Sequence, residues 1–213
     1  MKPRKIIIMS LFFVFLSANP AFCNTGEEAD KWLKNGEDAL QDKNYKEALG
    51  CLEKALKAYK ISGPEKQVAL VQNDIAYVYL RLEKYEAALS YYKESLKTTE
   101  GLKDFRNIIL IKNNIAQVYY SSGQYDKALN YYNESLDICK ESDFPKEKLL
   151  TLHGIVITYI ALGKYEEAIS YRLAAVILAE KTNASPELVD SLNALGLEID
   201  YNLNNKHGFL NAK

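Results

Sequence analysis

A short block returns every 40 residues along this chain: Tyr45-x-x-Ala48-Leu49, Tyr85-x-x-Ala88-Leu89, Tyr125-x-x-Ala128-Leu129 and Tyr165-x-x-Ala168-Ile169. Four copies in register constrain the fold more than any composition does. A unit of this size cannot bury its apolar face alone and must stack on its neighbours, so the chain is expected to form a solenoid whose work is binding. The repeats run through nearly all of the 213 residues and leave no room for a second fold, which predicts one elongated domain.

Between the blocks the apolar residues recur at helical spacing. Val68, Val71, Ile75, Tyr79 and Leu82 step along one face of a first helix. After Tyr85 a second series runs through Ala88, Tyr92, Leu96 and Thr99, with Glu86, Lys93, Glu94 and Lys97 largely on the other side. Each unit is therefore read as a helical hairpin, with the small Ala88, Ala128 and Ala168 where two backbones come close. Gly123 and Gly163, two residues before Tyr, suit the turn inside a hairpin, because glycine takes positive φ without penalty. Pro64, Pro145 and Pro186, each followed within two residues by an acidic residue, mark helix entries.

At this point the residues resemble the tetratricopeptide repeat family. Asn114-Ile115-Ala116-Gln117-Val118-Tyr119-Tyr120-Ser121-Ser122-Gly123-Gln124-Tyr125-Asp126-Lys127-Ala128-Leu129, followed by Tyr132 and Leu136, is similar to that family's signature nearly in full. The first copy matches through Trp32, Gly36, Ala39, Tyr45 and Ala48, the second through Ile75, Tyr79, Tyr85 and Ala88, and the fourth through Ile155, Tyr159, Gly163, Tyr165 and Ala168. The 40-residue unit resembles the longer kinesin light chain-like members, as do the paired polar residues Asn73-Asp74 and Asn113-Asn114. The resemblance implies an all-α fold, a right-handed superhelical solenoid of antiparallel helix pairs. Its hairpins are expected at about 29–61, 64–101, 104–141 and 145–182, within a solenoid over 24–213. Leu195-Gly196 and Ile199 keep phase but no Tyr-x-x-Ala block follows, so 186–203 is expected to be a capping half-repeat and 204–213 a short tail.

The first residues read as a secretory signal, 1–23: basic Lys2, Arg4 and Lys5, an apolar run from Ile6 to Leu16, then Ala21-Phe22-Cys23. That run is too short for about 30 Å of hydrocarbon, so no stable membrane span is expected. Cleavage after Cys23 implies a periplasmic or secreted protein; a lipid anchor on Cys23 is the alternative, against which bulky Phe22 stands. Cys51 and Cys139 lie in non-adjacent repeats, too far apart for the roughly 7 Å that a disulfide needs between Cα atoms, and are expected as buried free thiols. A net charge of −1, with three basic residues in the leader, argues against a nucleic-acid surface.

The family's hairpins curve, and the resemblance implies that the first helix of each pair lines the concave side. The residues there that packing does not require are Asn73, Tyr77 and Arg81; Asn113, Gln117, Tyr120 and Ser121; His153, Ile157 and Ile160; and Asn193, Leu197 and Asp200. Amides along a groove pair with both N–H and C=O of an extended peptide, and aromatics add apolar contact, which suits a protein or peptide partner. Asn73, Asn113 and Asn193 equally suit the bridging of adjacent helices. His153 has no Cys, Asp or Glu at metal-ligand spacing and reads as a partly buried histidine. Some family members clamp a chaperone's terminal carboxylate with basic residues; the matching places here hold Leu33, Glu37, Asp74, Leu110 and Asn114, which cannot do so. There is no phosphate loop, nucleophile elbow or metal cluster, so neither enzymatic activity nor a cofactor is expected. The expected function is a protein-interaction scaffold; the alternative is a regulatory input module whose output domain lies elsewhere.

Overall fold

Tyrosine and alanine at fixed places in each unit determine how the helices meet. The computed structural model describes residues 20–141 and 143–211. The expected leader therefore lies, through residue 19, outside the described residues. Helices α1 (Pro20–Gln41) and α2 (Tyr45–Ser62), α3 (Glu65–Arg81) and α4 (Tyr85–Gly101), α5 (Phe105–Ser121) and α6 (Tyr125–Glu141), and α7 (Pro145–Ala161) and α8 (Tyr165–Thr182) form four hairpins. A last helix, α9 (Pro186–Asn211), packs on α7 and α8. The chain is an all-α helical repeat solenoid. Residues 204–211, expected as a tail, are the end of α9 instead: no proline interrupts them, and an established helix adds residues at little cost.

Inside each hairpin the repeat block supplies the packing. Ala48, Ala88, Ala128 and Ala168 are completely buried where the second helix crosses the first. Tyr79 stacks on Tyr91, Tyr119 on Tyr131 and Tyr159 on Tyr171, with ring centroids 5.6, 5.5 and 5.5 Å apart. Each offset pair adds about 0.5–1.5 kcal/mol beyond its buried area. Ser95 donates to the Ala69 carbonyl (2.6 Å) and Ser135 to that of Ile109 (3.4 Å), so buried hydroxyls tie second helices to first ones.

The hairpin turns keep one geometry with different residues. Lys43, Glu83, Gly123 and Gly163 all adopt positive φ, between 58° and 73°. The N–H of the following residue then reaches back to a carbonyl five positions earlier, as from Lys84 to Tyr79 (2.9 Å) and from Gln124 to Tyr119 (2.8 Å), which closes the orphan carbonyls of the helix end. Pro145 and Pro186 open their helices, whereas Pro64 stands one place before its own. Cys51 and Cys139 are buried and free.

Candidate ligand groove on the first helices

From α3 onward each first helix touches the next first helix, α3 with α5, α5 with α7 and α7 with α9, while the second helices approach one another less closely. An array joined more tightly along one row bends toward that row. The first helices therefore line the inner side.

Residues 40 apart form three rows on that side. In the first row the polar groups are engaged between helices. Asn114 Nδ2 donates to Asn73 Oδ1 (3.0 Å), linking α5 to α3, and Asn113 Nδ2 donates to Oγ1 of the fully buried Thr151 (2.9 Å), linking α5 to α7. His153 Nε2 lies 2.9 Å from Ser191 Oγ, linking α7 to α9. Asn193 Oδ1 accepts from Arg172 Nη2 at 3.4 Å. Three consecutive first-helix contacts thus carry a side-chain bridge at the same level.

The second row faces outward. Tyr77, Gln117 and Leu197 are exposed and Ile157 is half-buried. In the third row Arg81 is held back across the hairpin boundary: its Nε donates to the Tyr45 hydroxyl (3.2 Å) while the guanidinium lies over the Tyr45 ring. Ser121 and Tyr201 are exposed. Tyr120 is half-buried, tilted against Tyr125 at a centroid distance of 5.5 Å and packed on the core of the central hairpins, where burial raises its pKa.

The groove changes character along its length. Toward α1 and α3 it holds the carboxyls of Asp74 and Glu37: burial pushes the Asp74 carboxyl up to about 6, against the hydrogen bond from Asn73, and the Glu37 charge adds to the rise. Toward α7 and α9 it is apolar, with Leu150, Leu197 and Tyr201 49%, 73% and 68% exposed. Burial also holds the His153 imidazole below its usual range, which keeps it neutral at pH 7. Leu150 and Tyr201 are not among the residues expected there from the sequence; the 40-residue register from Leu110 and from Arg81 through Ser121 points to both. A cavity of about 160 Å³ between the second and third hairpins, bordered by the Lys66–Asp104 ion pair (3.0 Å), is too small for a peptide. Among the described residues there is no group of three or more His, Cys, Asp or Glu able to hold a metal ion, and no helix is long and apolar enough to cross a membrane.

The tetratricopeptide repeat model matches residues 27–100 and 106–171. The chain belongs to the tetratricopeptide repeat family. Solved tetratricopeptide-type structures share its fold. Aspartyl phosphate phosphatase F from Bacillus subtilis superposes with a TM-score of 0.77 at 19% identity, covering 87% of this chain and 50% of that one. BtubC (BKLC) from P. vanneervenii gives 0.66 at 23%, over 74% of this chain and 65% of that one. A putative kinesin light chain from Podosopora anserina with nearly identical TPR-like repeats gives 0.62 at 14%, over 83% and 95%. This tetratricopeptide chain thus spans less than two thirds of the length of the first two. No protein of curated function matches it in sequence.

Proposed function

We propose that this chain is a non-enzymatic, exported scaffold that holds a segment of a partner protein along its first helices. The observation that carries the reading is the pair Leu197 and Tyr201, exposed one helical turn apart at the apolar end of the groove, where packing requires neither. Leu150 extends the apolar end, Tyr77 and Gln117 offer polar contact midway, and Asp74 with Glu37 places carboxyls at the other end. The partner segment is apolar at one end and basic at the other. Asn73, Asn113 and His153 serve the spacing of the groove more than its contacts, because their polar groups are occupied between helices. Export rests on the basic start, the apolar run from Ile6 to Leu16 and Ala21-Phe22-Cys23.

A photoreactive amino acid placed at Gln117 or Leu197 tests the groove, with Lys93 on an outer helix as control. Crosslinking to one partner from the two groove sites alone supports the reading; crosslinking from Lys93 alone overturns it. Sequencing the mature N-terminus tests export: a start at Asn24 or a lipidated Cys23 supports it, and a retained Met1 refutes it. A regulatory-module reading draws on two further similar structures, a Rap protein complexed with competence and sporulation factor and a signal transduction ATPase with a tetratricopeptide repeat sensor from Pyrococcus horikoshii. Under that reading the same groove receives a signalling peptide.

A further inference from the structure

Helix α8 departs from the other second helices on its outer side. Ile169, Leu173 and Ile177, spaced by four, are 41%, 58% and 58% exposed. At the places matching Leu173 and Ile177 the third repeat has Asn133 and Asp137 and the second has Lys93 and Lys97, so the repeat fold does not require apolar residues there. Beside this stripe α6, α7 and α8 enclose a groove of about 550 Å³, floored by Leu136, Leu152, Tyr171 and Leu178. Its α8 wall carries the small Ser170 and Ala174, where Ala174 stands in the place of Glu134 and Glu94.

The charges on this face are polarised. Glu166 and Glu167 lie in the first turn of α8 and Lys181 in its last. Lys140, in the last turn of α6, and Lys148 of α7 line the same groove as Lys181. Lys140 pairs with Asp137 (2.8 Å), while Lys148 and Lys181 make no ion pair among the described residues. One helix thus presents an apolar stripe with an acidic start and a basic end, next to an apolar groove.

We propose that this face is where a second copy of the chain docks, the two α8 helices running antiparallel about a twofold axis beside Ala174. Ala174 lies midway between Glu167 and Lys181, about 21 Å apart along the helix, so this register sets Glu167 of each copy against Lys181 of the other. The contact is isologous, and every favourable pair occurs twice. A parallel arrangement brings like charges together at both ends. Ser170 and Ala174 let the backbones approach, and each apolar stripe covers the mouth of the other copy's groove. A strip about 26 Å long and roughly 20 Å wide covers on the order of 500 Å² per copy, at the small end of specific interfaces.

Sedimentation velocity on the purified full chain tests this. The wild type is expected to be a dimer at about 100 µM. Leu173→Glu, at an exposed site, is expected to leave the melting temperature unchanged and raise the dissociation constant about a hundredfold or more, because it acts in both copies. Lys181→Glu is expected to weaken the dimer about tenfold, and Glu167→Lys in the same chain to restore it. A monomeric wild type at that concentration overturns the proposal and leaves the groove to a different protein. A dimer indifferent to Leu173→Glu, or a charge exchange without recovery, overturns it equally.

Discussion

Asn113 of α5 donates to the buried Thr151 of α7 across 2.9 Å, which joins two hairpins at the inner edge of the array. The Thr151 hydroxyl itself donates to the Glu147 carbonyl (2.9 Å), so this buried oxygen both accepts and donates. Asn113→Ala is therefore expected to lower stability by about 1 kcal/mol, and a double-mutant cycle with Thr151→Val to return a coupling of about 0.5–1.5 kcal/mol. Urea titration of the four proteins measures it; zero coupling would mean that the bridge adds nothing to the joint.

Gly154 and Gly196 both lie inside helices but meet different neighbours. A Cβ on Gly154 falls 2.4 Å from the ring of the buried Tyr132, whereas one on Gly196 meets only the guanidinium end of Arg172. Gly154→Ala is expected to destabilise by about 1–3 kcal/mol through overpacking. Gly196→Ala is expected to stay within about 1 kcal/mol of wild type, since the arginine tip can shift and alanine favours the helix. Equal melting temperatures for the two variants would contradict this account.

Lys43 and Glu83 occupy left-handed turn positions that Gly123 and Gly163 fill later in the chain. A side chain at positive φ costs roughly 1–2 kcal/mol, partly offset by the larger entropy that glycine loses on folding. Glu83→Gly is thus expected to stabilise the array by about 0.5–1 kcal/mol in thermal or denaturant melts. A loss of stability would show that the Glu83 side chain contributes contacts the turn geometry does not reveal.

Asp74 and His153 tilt stability in opposite directions over the same pH range. The Asp74 carboxyl is raised from 3.8 to about 6 in the folded chain, so its stabilising protonated state is present below about pH 4 and lost as pH climbs through 6. The His153 pKa is lowered by burial, so the unfolded chain binds that proton more readily and stability is lost as pH falls below 6.5. Asp74→Asn is expected to stabilise the protein at pH 7 and leave a profile that rises with pH. His153→Gln is expected to leave one that falls between about pH 4 and 6. Melts from pH 4 to 7 check both slopes; parallel profiles would refute the assignment.

Leu197→Glu with Tyr201→Ala removes the apolar end of the groove without touching the core, because both side chains are mostly exposed. Partner affinity is expected to fall by about tenfold or more with the melting temperature unchanged. Titration of the crosslinked partner's segment against wild type and variant reads this directly, and equal affinities would move the contact to another face.

The period, the hairpin and the packing positions are legible along the chain alone. An alanine every 40 residues at the helix crossing, a tyrosine stacked on a tyrosine and a turn able to take positive φ are local requirements, and local requirements repeat visibly along a chain. Which groove residues stay free depends on how the hairpins pack. Asn73, Tyr77, Asn113 and Gln117 look alike on a helical wheel, yet the two asparagines face the neighbouring hairpin while Tyr77 and Gln117 face water. The difference depends on the rotation and separation of consecutive first helices. Side chains of the intervening second helices set both, as the Tyr132 ring of α6 does where it lies against Gly154 of α7. No periodicity encodes that distance, and a side chain reaches its partner or the solvent according to it.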